Sequence, residues 1–389
     1  MSPFATEIPL EQAELRRVRM RLVRPFETSF GRFEEEQHLI VLLRGGGETG
    51  YGEAAVHQAP LFSHEDTATA WHVLGDLLLP RATGRSFAGV AELLALSQGI
   101  RGHETAKAAL EMAFHDLHAR LKGEPLWRHY GGSRRALPVG VSLGIEPSLE
   151  ALMGQVERFL GEGYRRIKIK IRPGWDVAPV AAVRSRHPGI PFTVDANASY
   201  GLNDMHLFRE LDRFDLGYIE QPLACDDLVD HARLQAELST PICLDESVDS
   251  PRAARAALGL KACRVLNIKP ARVGGATAAR EIHDLCRRAG VPVWCGGKLE
   301  TGIGRLHNVA LATLPGFSLP GDLSGSARYY AEDLVDPPVT ARAGLVVPPE
   351  GPGLGHAVRV DLLERVTEER KCWRDRKSTR LNSSHRIRT

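Results

Sequence analysis

Five short runs decide the fold: RRIKIKI (165–171), FTVDAN (192–197), GYIEQP (217–222), PICLDES (241–247) and RVLNIKP (264–270). Each is rich in β-formers, and each carries one ionisable residue at or near its end: Lys170, Asp195, Glu220, Asp245 and Lys269. The intervals between them are 25, 25, 25 and 24 residues. One strand, one helix and two connections make a unit of this length, so the five residues occupy equivalent places in successive units. LPVGVSLGI (137–145), VPVWCGG (291–297) and FSLPGDL (317–323) extend the series to eight strand candidates, the number a closed parallel barrel requires. The expected fold is therefore α/β, a (β/α) TIM-type barrel. In such a barrel the carboxyl ends of the strands share one mouth. A single acid or lysine at a loop start is ordinary solvated surface. Five in near-constant register within apolar runs are not.

Three carboxylates at one mouth repel one another and are driven to protonate unless a cation joins them. All-oxygen ligation favours a hard divalent ion, Mg²⁺ or Mn²⁺, so Asp195, Glu220 and Asp245 are the candidate metal ligands. Lys170 and Lys269 stand four strand-steps apart, half the circumference, and can serve as general base and general acid from opposite sides. Lys168 projects to the same side as Lys170. With Arg272, it supplies positive charge that would lower a neighbouring lysine's pKa.

Outside the barrel, residues 12–24 and 36–45 pattern as strands with a turn at Gly45-Gly46-Gly47, and the polar and aromatic stretch 25–31 reads as a loop. Helical patterns follow at 64–80, 87–98 and 103–121. This gives an N-terminal α+β capping domain over 1–130, the barrel over 131–325, and a C-terminal segment over 326–373. HAVRVDL (356–362) is expected there as a short strand returning to the first domain. The last residues, 374–389, hold six Arg and Lys against one Asp. They have no hydrophobic period and read as foreign to the fold or disordered, so the net charge of +2 hides a body that is about three charges negative. A basic nucleic-acid-binding tail is the alternative set aside.

No run reaches the roughly 18 apolar residues of a membrane span, and the first twenty residues lack a signal peptide's apolar core. The six cysteines form no CxxC pair and read as buried reduced thiols. The expectation is a cytoplasmic enzyme, a homo-oligomer with a small-molecule carboxylate substrate and neither nucleic acid nor membrane as partner.

KIK (168–170), DAN (195–197), EQP (220–222), LDES (244–247), NIKP (267–270) and GGKLETGIGR (296–305) together resemble the muconate-lactonising branch of the enolase superfamily. The likeness runs from PFETSFG (25–31) through AKAALEMAFHDL (106–117) to DLSGSARYYAEDL (322–334) and is nearest to o-succinylbenzoate synthases that also racemise N-succinylamino acids. The resemblance implies α-proton abstraction from a carboxylate through an enediolate, with dipeptide epimerisation or muconate cycloisomerisation as sibling chemistries and a non-catalytic binding barrel as a further alternative. It implies Mg²⁺ at Asp195, Glu220 and Asp245, Lys170 and Lys269 as acid and base, and Lys168 holding the substrate carboxylate or tuning Lys170. Asn197, Ser142, Lys298 and Glu300 match pocket-lining positions, and the 25–31 loop would close over the substrate. Lys298 departs from the family, which usually has an apolar residue there.

Two other motifs are weaker. Gly140-Val141-Ser142-Leu143-Gly144 matches a nucleophile elbow, but a helix must then start at once after the serine, whereas Ser148 is the first plausible N-cap. His115 and His118 share a helix face at i and i+3, and read as ordinary helix-face residues.

Overall fold

The computed structural model describes residues 7–133 and 135–375 of the chain. Seven parallel strands form one curled sheet in sequence order: Val141–Leu143, Ile167–Lys170, Phe192–Asp195, Ile219–Glu220, Ile242–Leu244, Val265–Ile268 and Val293–Cys295. The eighth run, FSLPGDL, forms no ladder of its own. Pro320 within it has no N–H to give. It closes the ring through isolated bridges, Phe317 to Val293 and Gly321 to Val139. Helices such as Leu149–Gly161, Val177–Arg186 and Ala276–Ala289 separate successive strands. Alternation along a strand sends Ile167 and Ile169 into the buried core and leaves Lys168 and Lys170 on the other face.

The N-terminal part is a four-stranded antiparallel sheet in the order Thr367–Arg374, Gln12–Thr28, Gly31–Gly45, Glu48–Ala55. Both faces are covered, which explains why its strands do not alternate cleanly between apolar and polar. Leu15, Leu39, Val41 and Leu43 share one core with Ala109, Ala113 and Leu117 of the helix Glu104–Leu121. Val18, Met20, Ile40 and Leu42 join the barrel core instead. The last strand lies directly on that helix: a Cβ at Gly52 would sit 2.1 Å from Ala109 O, and one at Gly50 2.2 Å from Ala113 O. Only glycine allows so close an approach.

Three expectations need correction. The 25–31 stretch is the tip of a hairpin rather than a loop, paired Phe26 to Phe33, Glu27 to Arg32 and Thr28 to Gly31 beyond a register shift after Arg21. HAVRVDL does not return to the N-terminal sheet. Ala357–Val358 pairs with Val335–Asp336, a helix Val360–Val366 follows, and Thr367–Arg374 makes the return. All six cysteines are free, but Cys225 and Cys372 are exposed. Ser148 does cap the helix Leu149–Gly161, accepting from Ala151 N–H at 3.1 Å. The basic tail beyond Asp375 lies outside the described residues. Among the described residues no helix is long and apolar enough to cross a membrane.

Candidate active site

Strand register places the charged row. Lys170 pairs with Asp195, and Asp195 with Glu220, so three neighbouring strands present them side by side. Glu220 then pairs with Cys243, which puts Asp245 one pleat further along its strand. The ring's stagger continues with Lys269, immediately after the strand Val265–Ile268. All five residues are buried, Glu220 and Asp245 completely.

Each carboxylate is drawn onto a cation. Lys170 Nζ donates to Asp195 Oδ2 at 2.6 Å and to Asn197 Oδ1 at 2.5 Å. Lys168 Nζ reaches Glu220 Oε2 at 2.7 Å, Asp322 Oδ2 at 2.8 Å and Asp195 Oδ2 at 3.3 Å. Lys269 Nζ donates to Asp245 Oδ2 at 2.6 Å, and Arg272 Nη1 bonds the other oxygen of Asp245. Burial works to lower the Lys168 ammonium, but Asp322, Glu220 and Asp195 outweigh it and hold its pKa well above the usual lysine value. Burial likewise opposes ionisation of Asp195, yet Lys170 and Lys168 bring it down to about 2. Glu220 is different: burial and the Asp195 carboxylate raise its pKa despite Lys168.

Among the described residues no three acid, histidine or cysteine side chains converge closely enough to hold a metal ion, because each acid is closed onto a lysine or arginine. The donor set nonetheless fits a hard cation. The side chains are all-oxygen, they stand in register on adjacent strands, and the row remains short of positive charge at Glu220.

The cavity above the row spans about 610 Å³, including the open solvent at its mouth. Lys168, Lys170, Asp195, Asn197, Lys269, Lys298 and Ser142 line it, under an aromatic wall of Phe26, Phe30, Phe33 and Phe62 brought by the hairpin tip and the segment after it. Asn197 and Ala198 hold φ values of 43° and 60°, a left-handed conformation that costs free energy and clusters at functional sites. The turn aims Asn197 at Lys170, while its Nδ2 donates to Glu246 Oε1 at 2.8 Å. Burial and the nearby Asp195 push Glu246 up to about 7.

One candidate residue sits elsewhere than expected. Glu300 does not line this cavity. Its carboxylate turns inward to accept from Lys298 N–H at 2.5 Å and Asn308 Nδ2 at 2.9 Å, so it shapes the loop. Ser142 lines the cavity in mid-strand opposite Lys168 with no partner for its buried Oγ, and the next helix starts only after Ser148, too late for a nucleophile elbow. His115 bonds His129 at 3.0 Å and Glu111 at 3.1 Å, a packed polar cluster behind the barrel.

Sequence reasoning missed Asp322 and Arg166. Asp322 bonds both Arg166 and Lys168, so it anchors the second lysine of the KIK run. Its signal was available, since it ends FSLPGDL as the other acids end their runs. Below them Trp294 forms the floor, stacked on Tyr218 with ring centroids 5.9 Å apart, and Lys168 Nζ lies 4.7 Å from the Trp294 ring.

Comparison with known proteins settles the lineage. The model of the enolase C-terminal domain-like family matches residues 151–362, and that of the mandelate racemase / muconate lactonizing enzyme N-terminal domain matches residues 12–131. The chain belongs to the enolase superfamily. Members of this superfamily generally use a divalent metal ion. The chain is 49% identical over 358 residues to an N-succinylamino acid racemase of Thermus thermophilus, covering 92% of this chain and 97% of the relative. It is 46% identical to an o-succinylbenzoate synthase of Geobacillus kaustophilus, covering 94% and 98%. A solved enolase-superfamily structure from Listeria innocua superposes with a TM-score of 0.91 at 36% identity, covering 94% of this chain and 99% of that one.

Proposed function

We propose that this enzyme moves the proton next to a substrate carboxylate, acting as an o-succinylbenzoate synthase, an N-succinylamino acid racemase, or both. One observation carries the reading: Lys170 and Lys269 enter the same cavity from strands separated by three others. The two named relatives, at 46–49% identity, supply the substrate class.

Asp195, Glu220 and Asp245 would hold the metal ion, Mg²⁺ or Mn²⁺, which when bound supplies positive charge against the negative charge that develops on the substrate carboxylate. The remaining chemistry belongs to the chain. In racemisation one lysine, as the free amine, takes the α-proton on its Nζ while the other, as ammonium, delivers a proton to the opposite face. The roles exchange for the other enantiomer. In the synthase direction, one lysine takes the proton and returns it to the departing hydroxyl, which leaves as water, while the other stabilises charge. Asn197 positions Lys170, and Asp322 holds Lys168 in place beside it. The phenylalanine wall excludes water, which strengthens each of these charge interactions.

The test is a split between exchange and inversion. In D₂O the wild type should exchange the α-hydrogen of both enantiomers of an N-succinylamino acid. Lys170→Ala or Lys269→Ala should abolish inversion and leave, at most, exchange of the enantiomer facing the surviving lysine. Racemisation by Lys269→Ala at near the wild-type rate would refute the two-base reading. A wild type that exchanges neither enantiomer yet forms o-succinylbenzoate would remove the racemase half.

A further inference from the structure

The cavity contains four lysines, and three are spoken for. Lys168, Lys170 and Lys269 each pair with a carboxylate at 2.8 Å or less. Lys298 does not: among the described residues no carboxylate lies within ion-pair distance of its Nζ. The two acids whose charge acts on it are committed elsewhere. Glu65 accepts from Thr105 N–H at 2.8 Å and Ala106 N–H at 3.1 Å, fixing the start of a helix. Glu300 takes the Lys298 backbone N–H and Asn308.

Instead the ammonium rests 5.2 Å from the centre of the Phe62 ring, the same ring that Lys269 Nζ approaches to 4.6 Å. Phe62 and Lys298 also line a neighbouring cleft that spans about 1230 Å³ including open solvent, so they stand where the two spaces adjoin. Burial lowers the Lys298 ammonium to about 8; Lys269 and Arg272 add to this, and Glu65 and Glu300 oppose it. A cation half withdrawn from water beside like charges is costly until an anion reaches it.

We infer that Lys298 is the receptor for a second, remote carboxylate of the substrate, and that it sets a preference for dicarboxylates over monocarboxylates. For the seat of the first carboxylate this rests on the proposed function. The Phe62 face supports the apolar link between the two charged ends, and the adjoining space leaves room for the remote end to approach Lys298 without displacing Lys269 from Asp245.

Titration calorimetry on the Mg²⁺-loaded protein tests this with two ligands, o-succinylbenzoate and 2-butanoylbenzoate, in which a methyl group replaces the remote carboxylate. Wild type should favour the dicarboxylate by at least ~10-fold, the size of one charge-assisted contact. Lys298→Met should erase that preference while leaving 2-butanoylbenzoate affinity within about twofold, and Lys298→Arg should keep most of it. Lys298→Gln gives the same reading should the methionine variant fold poorly. Equal affinities in wild type, or a preference that survives Lys298→Met and Lys298→Gln, would overturn the inference. A Lys298-dependent preference in a protein that neither racemises N-succinylamino acids nor forms o-succinylbenzoate would overturn the proposed function and leave this assignment standing.

Discussion

The barrel mouth and the seam where the N-terminal sheet meets it are built from the same materials, yet they close differently. Both bury acids among hydrogen-bond donors. At the seam Glu53 is fully satisfied: it takes Thr301 N–H at 2.9 Å, Thr301 Oγ at 2.6 Å and Gly304 N–H at 2.8 Å, and faces His38 Nδ1 at 3.1 Å. His38 Nε2 meets Tyr330 Oη at 2.8 Å, and Tyr330 donates to Leu299 O. At the mouth the accounts stay open. Glu246 Oε2, Asn267 Oδ1 and Ser142 Oγ are buried with no partner, against His38 Nδ1 at the seam, which faces Glu53 at 3.1 Å without hydrogen-bond geometry, and burial with the Asp195 charge raises Glu220. A closed network holds a structure together, whereas an open one awaits a ligand. Damage to the mouth should therefore cost activity more than stability, and damage to the seam the reverse.

The largest expected effect is at the mouth. Removing divalent metal with a chelator should lower turnover by more than ~10³-fold, with recovery on adding Mg²⁺ or Mn²⁺ and little change in melting temperature. Full activity in metal-free buffer would break the contrast at its strongest point. Chelation is a cleaner test than Asp245→Asn. Asp245 also pairs with the buried Arg272, and stranding that cation would cost about 3–5 kcal/mol of stability on its own account.

The mouth was legible in the sequence because a barrel repeats. Equal intervals mark equivalent places, so Lys170, Asp195, Glu220, Asp245 and Lys269 could be read together from spacing alone. The seam has no such period. His38 and Glu53 sit on antiparallel strands, while Thr301 and Tyr330 sit in loops more than 240 residues later, and only the tertiary fold brings them together. The hairpin tip failed for a related reason. Pro25, Thr28 and Gly31 carry turn chemistry, which masked strands that continue through the register shift after Arg21. The return strand was misplaced onto HAVRVDL because apolar alternation favoured it. The strand that does return, TEERKCWR, is mostly polar and lies at the edge of the sheet, where little of it is buried.

A smaller effect, at the seam, depends on one proton. Tyr330 has a single O–H and gives it to Leu299 O, so it must accept from His38 Nε2–H. His38 Nδ1 is then bare, and Glu53 faces it at 3.1 Å without hydrogen-bond geometry, so a proton on Glu53 relieves the repulsion between an ionised oxygen and that lone pair. Burial is the main force raising Glu53 to about 8, and burial lowers His38 to about 3. The signs follow. Folding keeps a proton on Glu53 that the unfolded chain releases above its ordinary 4.5, so this contribution is full at low pH and is lost as pH rises towards 8. His38 works the other way, with stability rising up to its ordinary 6.5. Between 6.5 and 8 Glu53 acts alone, and stability should fall by up to about 2 kcal/mol. In Glu53→Gln that slope should vanish, and the variant should be about 2 kcal/mol less stable at pH 6.5, since both carboxyl oxygens accept hydrogen bonds and an amide nitrogen can accept none. Denaturant midpoints at several pH values decide this. A wild type whose stability is flat from 6.5 to 8 would mean that Glu53 is ionised and the seam is not closed as described.

The smallest effect sharpens the comparison at the far edge of the seam. Ending the chain after Arg370 removes Lys371–Arg374, which pair with Leu15, Glu14, Ala13 and Gln12. Trp373 packs against the cap core, and Lys371 pairs with Asp76 at 3.0 Å on an exposed surface, where an ion pair is worth under about 1 kcal/mol. The expected loss is about 1–2 kcal/mol, a drop of a few degrees in melting temperature. Ending the chain after Asp375 instead leaves every one of these pairings in place and should cost nothing. None of the four residues lines the cavity, so kcat should match wild type in both shortened chains. A fall in kcat at 25 °C in a shortened chain that remains folded would show that the sheet edge transmits strain to the hairpin tip carrying Phe26 and Phe30. Stability and activity would then no longer divide between seam and mouth.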